Sequence, residues 1–128
     1  MVTKIIEKFK EEFGFMIDKF NIISLTIKEA NETKELNVAF PGVYIFWNNN
    51  RIIKVGRHLI NSRKRALQHI RDNTRNENFE MANLANYVDD CGLILINCKD
   101  IKDKHWAAAI EIYMEEKLVP IIKSQRIG

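Results

Sequence analysis

The chain has 128 residues, of which 46% are hydrophobic and 29% are charged. This length and composition fit one globular domain with a single core, and they exclude a disordered chain. Apolar runs are shorter than the roughly 18 to 20 residues of a membrane span, and Glu7, Glu11 and Glu12 interrupt the apolar residues at the N-terminus. We therefore expect a cytoplasmic protein with no signal peptide and no membrane contact.

Positive charge is concentrated in one part of the chain. The net charge is +3, but the stretch from Arg51 to Arg75 contains eight Lys or Arg against one acid, Asp72, which leaves −4 for the remainder. A cationic segment of this kind is expected of a protein that holds a polyanion, with an affinity that falls as salt rises. Nucleic acid is the expected partner, ahead of a nucleotide or an anionic lipid, since no glycine-rich phosphate loop follows a predicted strand.

The first forty residues predict a helix, a strand and a turn. Apolar residues recur at helical spacing from Ile5 to Phe20, with lysines and glutamates between them. Residues 22–27 then favour a strand, and residues 31–34 a turn. This front section could pack on the rest of the domain, form a dimer or help to hold a substrate.

A β-hairpin is predicted next, over residues 43–47 and 52–55, with Asn48, Asn49 and Asn50 as its loop. A loop of these asparagines sets Tyr44 directly across from Lys54. The ammonium would lower the pKa of the phenol from its usual value of about 10, which suits a base or a charge stabiliser. Strand tyrosines and lysines are more often packing residues, and a slip of one residue in the turn would separate the pair.

After Gly56 the period becomes helical. Asn61 or Ser62 can cap the helix, and Ala66, Leu67 and Ile70 form its apolar stripe. Arg65 and His69 lie one turn apart on the same flank. An arginine binds phosphate oxygens and an imidazole moves protons near neutral pH, although basic residues on a helix are more often a solvated face.

The C-terminal third predicts a polar loop at 73–78, a helix at 79–88, a buried strand at 92–97 and a helix at 105–118. Cys91 and Cys98 bracket the strand and are interpreted as core thiols, neither disulfide-bonded nor zinc-binding. Glu111 falls at the edge of the last helix's apolar stripe, where its carboxylate suits a hard divalent ion. Glu115 and Glu116 are expected to face solvent and pair with lysines.

These elements predict one small α/β domain over residues 1–128, with a central mixed or antiparallel sheet that contains the hairpin and is flanked by helices. Residues 1–39 would be an N-terminal helix and strand extension, and residues 40–124 the functional core.

Two short motifs in this core resemble those of a known family. Gly42, Val43 and Tyr44, followed by Lys54, Val55 and Gly56, resemble the two-part signature of the GIY-YIG endonucleases. Arg65 and His69 are similar to the family's next motif, and the stretch from Glu111 to Pro120 is similar to its helix with a metal-binding glutamate. The likeness covers roughly Phe40 to Ser124.

The resemblance implies a DNA endonuclease that hydrolyses phosphodiester bonds with one Mg²⁺ or Mn²⁺ ion held by Glu111. Tyr44 would activate water beside Lys54, Arg65 would neutralise charge on the phosphate, and His69 would assist proton movement. Double-stranded DNA is the expected substrate, and the protein could act as a homodimer. Further contacts with the nucleic acid are expected from the remaining basic residues Arg57, Arg63, Lys64, Arg71 and Arg75.

The chain departs from the family pattern at three places. Lys54 stands where the second motif has a tyrosine, as in some restriction-type members. Arg65 is one residue away from the commonest spacing, which makes Arg63 the alternative. Lys123 occupies the position of a usual asparagine, and this favours a second hypothesis, a nucleic-acid-binding module that keeps the fold without the reaction. A third hypothesis is a scaffold protein that exposes the N-terminal helix.

Overall fold

A computed structural model describes residues 1–86 and 90–125. Within them a sheet is formed by β1 (Phe20–Leu25), β2 (Gly42–Asn48), β3 (Arg51–His58) and β4 (Cys91–Cys98). The strand order is β1-β4-β2-β3, and every neighbouring pair is antiparallel. The helices are α1 (Val2–Phe13), α2 (Ile27–Glu32), α3 (Ser62–Arg71) and α4 (Trp106–Leu118). The predicted α/β fold is confirmed. The sequence allowed a mixed or an antiparallel sheet, and the sheet is antiparallel.

Helices cover both faces of the sheet. On one face α1 and α4 pack their apolar residues against those of the strands, and on the other face α2, α3 and the 3₁₀ segment Met81–Asn86 do so. The central strand β4 is buried along its whole length, as its apolar composition predicts, and Cys91 and Cys98 are buried thiols at its two ends. None of the helices in the described ranges is long and apolar enough to cross a membrane.

The N-terminal segment is part of this core. The apolar residues Ile5, Phe9 and Phe13 of α1 are buried, and β1 pairs with β4 along its length. The sequence left three roles open for this segment. In the structure it packs on the rest of the domain. The apolar stripe of α1 is covered by its own chain.

Three elements differ from the prediction. The helix predicted from Ile5 to Phe20 ends at Phe13, and a 3₁₀ segment, Gly14–Lys19, leads to the start of β1 at Phe20. The strand ends at Leu25 and α2 begins at Ile27, because Thr26 accepts a hydrogen bond from the Glu29 N–H while the Glu29 carboxylate accepts one from Thr26, a capping box. The helix predicted at 79–88 is instead the 3₁₀ segment Met81–Asn86, and positions 87 and 88 of that prediction lie outside the described residues.

The hairpin register was predicted wrongly. The turn has two central residues, so that Asn48 pairs with Arg51, and a bulge after Phe46 makes Ile53 an extra residue in β3. Tyr44 consequently pairs with Gly56, and Lys54 pairs with Phe46. Asn49 has φ of 56°, a left-handed conformation that asparagine tolerates better than most residues. Lys54 and Tyr44 still point to the same face of the sheet, as diagonal neighbours.

This register gives the Tyr44 ring its space. A Cβ at Gly56 would lie 2.2 Å from the Tyr44 hydroxyl oxygen and 2.3 Å from the ring carbon that bears it. The phenol therefore lies directly over the glycine, and any side chain there would push it away.

We expect Gly56→Ala to lower the free energy of unfolding by about 1 to 3 kcal/mol, because the methyl group must displace the buried ring. Gly14→Ala is the matched control, since its φ is −57° and the nearest atom to the new Cβ is 3.8 Å away. There we expect a gain of about 0.4 to 1 kcal/mol. Urea denaturation measures both changes, and a Gly56→Ala variant as stable as the parent would contradict the proposed close approach.

Candidate functional site

The candidate site is a cleft beside β3, the strand at one edge of the sheet. The segment after α4 runs along that edge, where the N–H groups of Ile121 and Ile122 donate to the carbonyls of Ile52 and Ile53. The Ser124 hydroxyl donates to the Val55 carbonyl at 2.6 Å. Near this point, among β3, α3 and α4, lies a cleft of about 890 Å³.

All of the predicted catalytic residues line this cleft. Tyr44 comes from β2, Lys54 from β3, Arg65 and His69 from α3, and Glu111 from α4. Four of them are buried and Arg65 is half-buried. Three stretches that are far apart in the sequence therefore meet in one place.

The phenol of Tyr44 begins a short chain of hydrogen bonds. Its hydroxyl lies 2.7 Å from Nε2 of His69, and Nδ1 of the same ring lies 2.6 Å from the Thr74 hydroxyl. The helix places His69 one turn after Arg65, as the spacing predicts, and Asn61 caps its first turn by accepting from the Lys64 N–H. A proton that leaves the phenol therefore has an acceptor within hydrogen-bonding distance.

The pKa of Tyr44 moves opposite to the prediction. Burial raises it from 10.0 to about 12, and the nearby Glu111 carboxylate adds to the rise. The guanidinium of Arg65, beside the phenol, acts in the lowering direction without reversing the shift. The prediction that Lys54 lowers this pKa was wrong, because it assumed a direct pair with Lys54 and could not include burial. At neutral pH the phenol is protonated and serves as a donor.

Burial also changes the pKa of His69. It is lowered from 6.5 to about 4, first by burial and then by the positive charges of Lys54 and Arg65. The imidazole is therefore neutral at pH 7 and can accept a proton from Tyr44. Bound phosphate would offset those two charges and increase the basicity of the ring.

Glu111 faces a cation of the same cleft. Its carboxylate accepts a hydrogen bond of 2.5 Å from the Arg57 guanidinium, and the side chain of Glu111 is only 5% exposed. The sequence places these two residues 54 positions apart and gives no sign of the pair. Arg57, predicted as a nucleic-acid contact, lines the cleft as an ion-pair partner of the predicted metal ligand.

The other predicted nucleic-acid contacts divide into three kinds. Arg75 lines the cleft, whereas Lys64 and Arg71 are exposed on α3 and do not line it. The Arg63 guanidinium donates to the backbone carbonyls of Ala30 and Thr33, so it fastens the end of α2. Of the two candidate arginines, Arg65 is the one that lines the cleft.

The segment after Pro120 contributes further cleft residues. Lys123, the departure from the family pattern, lines the cleft, as does Ser124. The Ser124 N–H donates to a carboxylate oxygen of Glu115, which is buried, so the prediction that Glu115 faces solvent was wrong. The Ser124 N–H is nine residues further along the chain, and folding brings it next to the Glu115 carboxylate. Glu116 is exposed, as predicted.

The charges of the cleft suit a phosphate. Among the described residues that line it, five are Lys or Arg and Glu111 is the sole carboxylate: Lys54, Arg57, Arg65, Arg75 and Lys123 are the cations. The part of the chain that the structure describes contains no group of three or more His, Cys, Asp or Glu that could hold a metal ion. Mg²⁺ commonly uses one or two carboxylates together with water and substrate phosphate, so Glu111 fits a single-carboxylate site.

Comparisons of the chain with protein-family models, with curated proteins and with solved structures gave no match.

The lowered pKa of His69 predicts a loss of stability in acid. Since the folded pKa of about 4 lies below the unfolded value of 6.5, the unfolded chain takes up the proton first as the pH falls. Stability that is present near pH 7 is therefore lost between those two values. We expect this one group to cost about 2 kcal/mol at pH 4.5.

Urea denaturation of the parent and of His69→Gln at pH 7 and pH 4.5 measures this effect. Carboxylates titrate in both proteins, so the difference between their losses belongs to His69. Equal losses in the two proteins would contradict the lowered pKa.

Proposed function

We propose that this protein is a DNA endonuclease that hydrolyses phosphodiester bonds with the help of one divalent ion. The observation that carries the proposal is the meeting of a phenol hydrogen-bonded to a neutral imidazole, a buried carboxylate and several cations in one cleft. Such a set supplies a proton acceptor, a metal ligand and charges for a phosphate, which are the groups that phosphodiester hydrolysis needs.

Substrate binding is assigned to the cations. The guanidinium of Arg65 can hold two phosphate oxygens and lies beside the phenol. Arg75 and Lys123 add positive charge to the cleft walls and suit the neighbouring phosphates of a nucleic-acid strand. Lys64 and Arg71 are exposed on α3, outside the cleft, and would reach phosphates further along the duplex.

Proton movement is assigned to Tyr44 and His69. Because the phenol is protonated at rest, it can take a proton from water only while it gives its own to His69 Nε2. The water oxygen then bonds to phosphorus as the bond to the leaving oxygen breaks, and a proton from solvent completes the new hydroxyl end. The imidazolium that results is stabilised by the phosphate charge in the cleft, and it returns its extra proton to solvent when the product leaves.

Glu111 is the residue that would hold Mg²⁺ or Mn²⁺. The ion supplies Lewis-acid stabilisation of the charge that develops on the phosphate oxygens. Arg57 shares the Glu111 carboxylate in this structure, so it must turn at least partly away when the ion is present. Its guanidinium would then be released toward the substrate.

The similarity to the GIY-YIG endonucleases supports the same function. Its motif residues Tyr44, Arg65, His69 and Glu111 all line the cleft. Lys123 stands where the family pattern has an asparagine. The segment after α4 is still held in place by two hydrogen bonds of Ser124, to Glu115 and to the Val55 carbonyl.

One observation favours a second function, nucleic-acid binding without hydrolysis. The Arg57–Glu111 ion pair neutralises the carboxylate that the divalent ion requires. If the ion does not displace Arg57, the cleft remains a cationic groove that binds a phosphate backbone and does not cut it.

A nicking assay on supercoiled plasmid with Mg²⁺ or Mn²⁺ tests the proposal. We expect Glu111→Gln to lower the rate by about 100-fold or more, since the metal ligand is lost while the shape of the side chain is kept. Tyr44→Phe should lower it by about 100-fold, because the proton path is broken. Glu116→Gln is the control, since this exposed glutamate lies on the same helix, and it should cut like the parent.

A Glu111→Gln variant as active as the parent would refute the metal assignment, and an equally active Tyr44→Phe would refute the phenol as part of the proton path. Salt-sensitive DNA binding by the parent, without cutting under any divalent ion, would favour the binding module. Branched and single-stranded DNA and RNA in the same assay define the substrate.

A further inference from the structure

Thr74 contacts the imidazole from the side opposite to Tyr44. Its hydroxyl oxygen lies 2.6 Å from Nδ1 of His69, while Nε2 of that ring lies 2.7 Å from the phenol oxygen. A neutral imidazole has one N–H and one acceptor nitrogen. If the hydrogen is on Nδ1, His69 accepts from the phenol. If it is on Nε2, His69 donates to the phenol.

The end of α3 holds Thr74 in this place. Asn73 has φ of 49°, its N–H donates to the Ile70 carbonyl, and the Thr74 N–H donates to the His69 carbonyl at 2.9 Å. This is a Schellman motif, in which the residue after the left-handed position folds back against the last turn of the helix. The Thr74 carbonyl also accepts from the Met81 N–H at 3.0 Å. The hydroxyl of Thr74 is therefore held beside Nδ1 by the backbone on both sides.

The hydrogen bonds of the phenol select one tautomer. Burial raises the pKa of the phenol to about 12, so it keeps its proton at neutral pH and its O–H needs an acceptor. Among the described residues, His69 Nε2 is the acceptor within hydrogen-bonding distance of the phenol oxygen. The hydrogen of the imidazole consequently lies on Nδ1 and is donated to the Thr74 hydroxyl, which can act as donor or acceptor.

We propose that Thr74 is a positioning residue that holds His69 as the Nδ1–H tautomer and so keeps Nε2 available to accept the proton of Tyr44. The inference rests on the proposed nuclease function for its catalytic consequence, but the tautomer is a property of the resting protein. When Tyr44 transfers its proton to Nε2, the imidazolium retains its Nδ1–H bond to Thr74. Thr74 itself gains and loses no proton.

Long-range ¹H–¹⁵N correlation spectra of the histidine side chains at pH 7 test the tautomer directly. The parent should show His69 with its hydrogen on Nδ1, and the His69→Gln variant identifies the signal. His58 is an internal reference, because its Nδ1 accepts from the N–H groups of Ile60 and Asn61, so its neutral ring carries the hydrogen on Nε2. The two histidines should therefore have opposite patterns in one spectrum.

Two variants then test the part played by Thr74. Thr74→Val keeps the branched shape and removes the hydroxyl, so we expect His69 to shift toward the Nε2–H form and kcat for plasmid nicking to fall about 10-fold or more at unchanged KM. Thr74→Ser restores a hydroxyl and should return both the tautomer and most of the rate. Spectra of His58 should not change in either variant.

A parent protein with His69 in the Nε2–H form would overturn the inference, as would a Thr74→Val variant that keeps the Nδ1–H form. These outcomes do not depend on nuclease activity. A parent that shows the expected tautomer and its loss in Thr74→Val, but does not cut DNA, would support the role of Thr74 and refute the proposed reaction.

Discussion

The contact on which the site depends is the phenol of Tyr44 lying across Gly56. Because β2 and β3 pair in this register, the ring has no side chain opposite it and extends over the backbone of the neighbouring strand. Its hydroxyl thereby comes within hydrogen-bonding distance of His69 on α3. A register without the bulge would pair Tyr44 with Val55, whose side chain would fill the space that the ring now occupies.

The cleft lies beside the edge strand β3, next to the C-terminal tail, residues 120–125. The C-terminal tail satisfies the edge of this strand at Ile52, Ile53 and Val55. Farther along the strand, Arg57 lines the cleft and pairs with Glu111 of α4, while α3 presents Arg65 and His69. The tail thus covers one part of an edge strand, and the cleft lies beside another part.

The sequence predicts the elements well wherever their patterns are local. The hairpin, α3, β4 and α4 follow from periodicity and capping, and even α2 has a signal in the Thr26 and Glu29 capping box that the prediction did not use. Three adjacent asparagines allow turns of different length, so the register could not be read from them. The bulge shifts the register between Phe46 and Trp47 and leaves Ile53 as an extra residue.

The predicted site residues come together in the fold, but their electrostatics differ from the prediction. Spacing and family likeness named five residues that all line the cleft. The pKa of Tyr44 was expected to fall and instead rises to about 12, because burial outweighs the nearby cations. The Arg57–Glu111 pair forms because α4 packs on β3, and the Thr74 contact forms because Asn73 is left-handed. Periodicity in the sequence reveals neither contact.

The most direct test of the account is a crystal structure of Tyr44→Phe with duplex DNA and Mn²⁺, with the ion located by its anomalous scattering. The proposed function predicts an ion bound by the Glu111 carboxylate beside a DNA phosphate. That phosphate should face the ring at position 44, with Arg65 on its oxygens and Arg57 turned away from Glu111. An ion bound elsewhere, or DNA on another face of the protein with the Arg57–Glu111 pair intact, would contradict it.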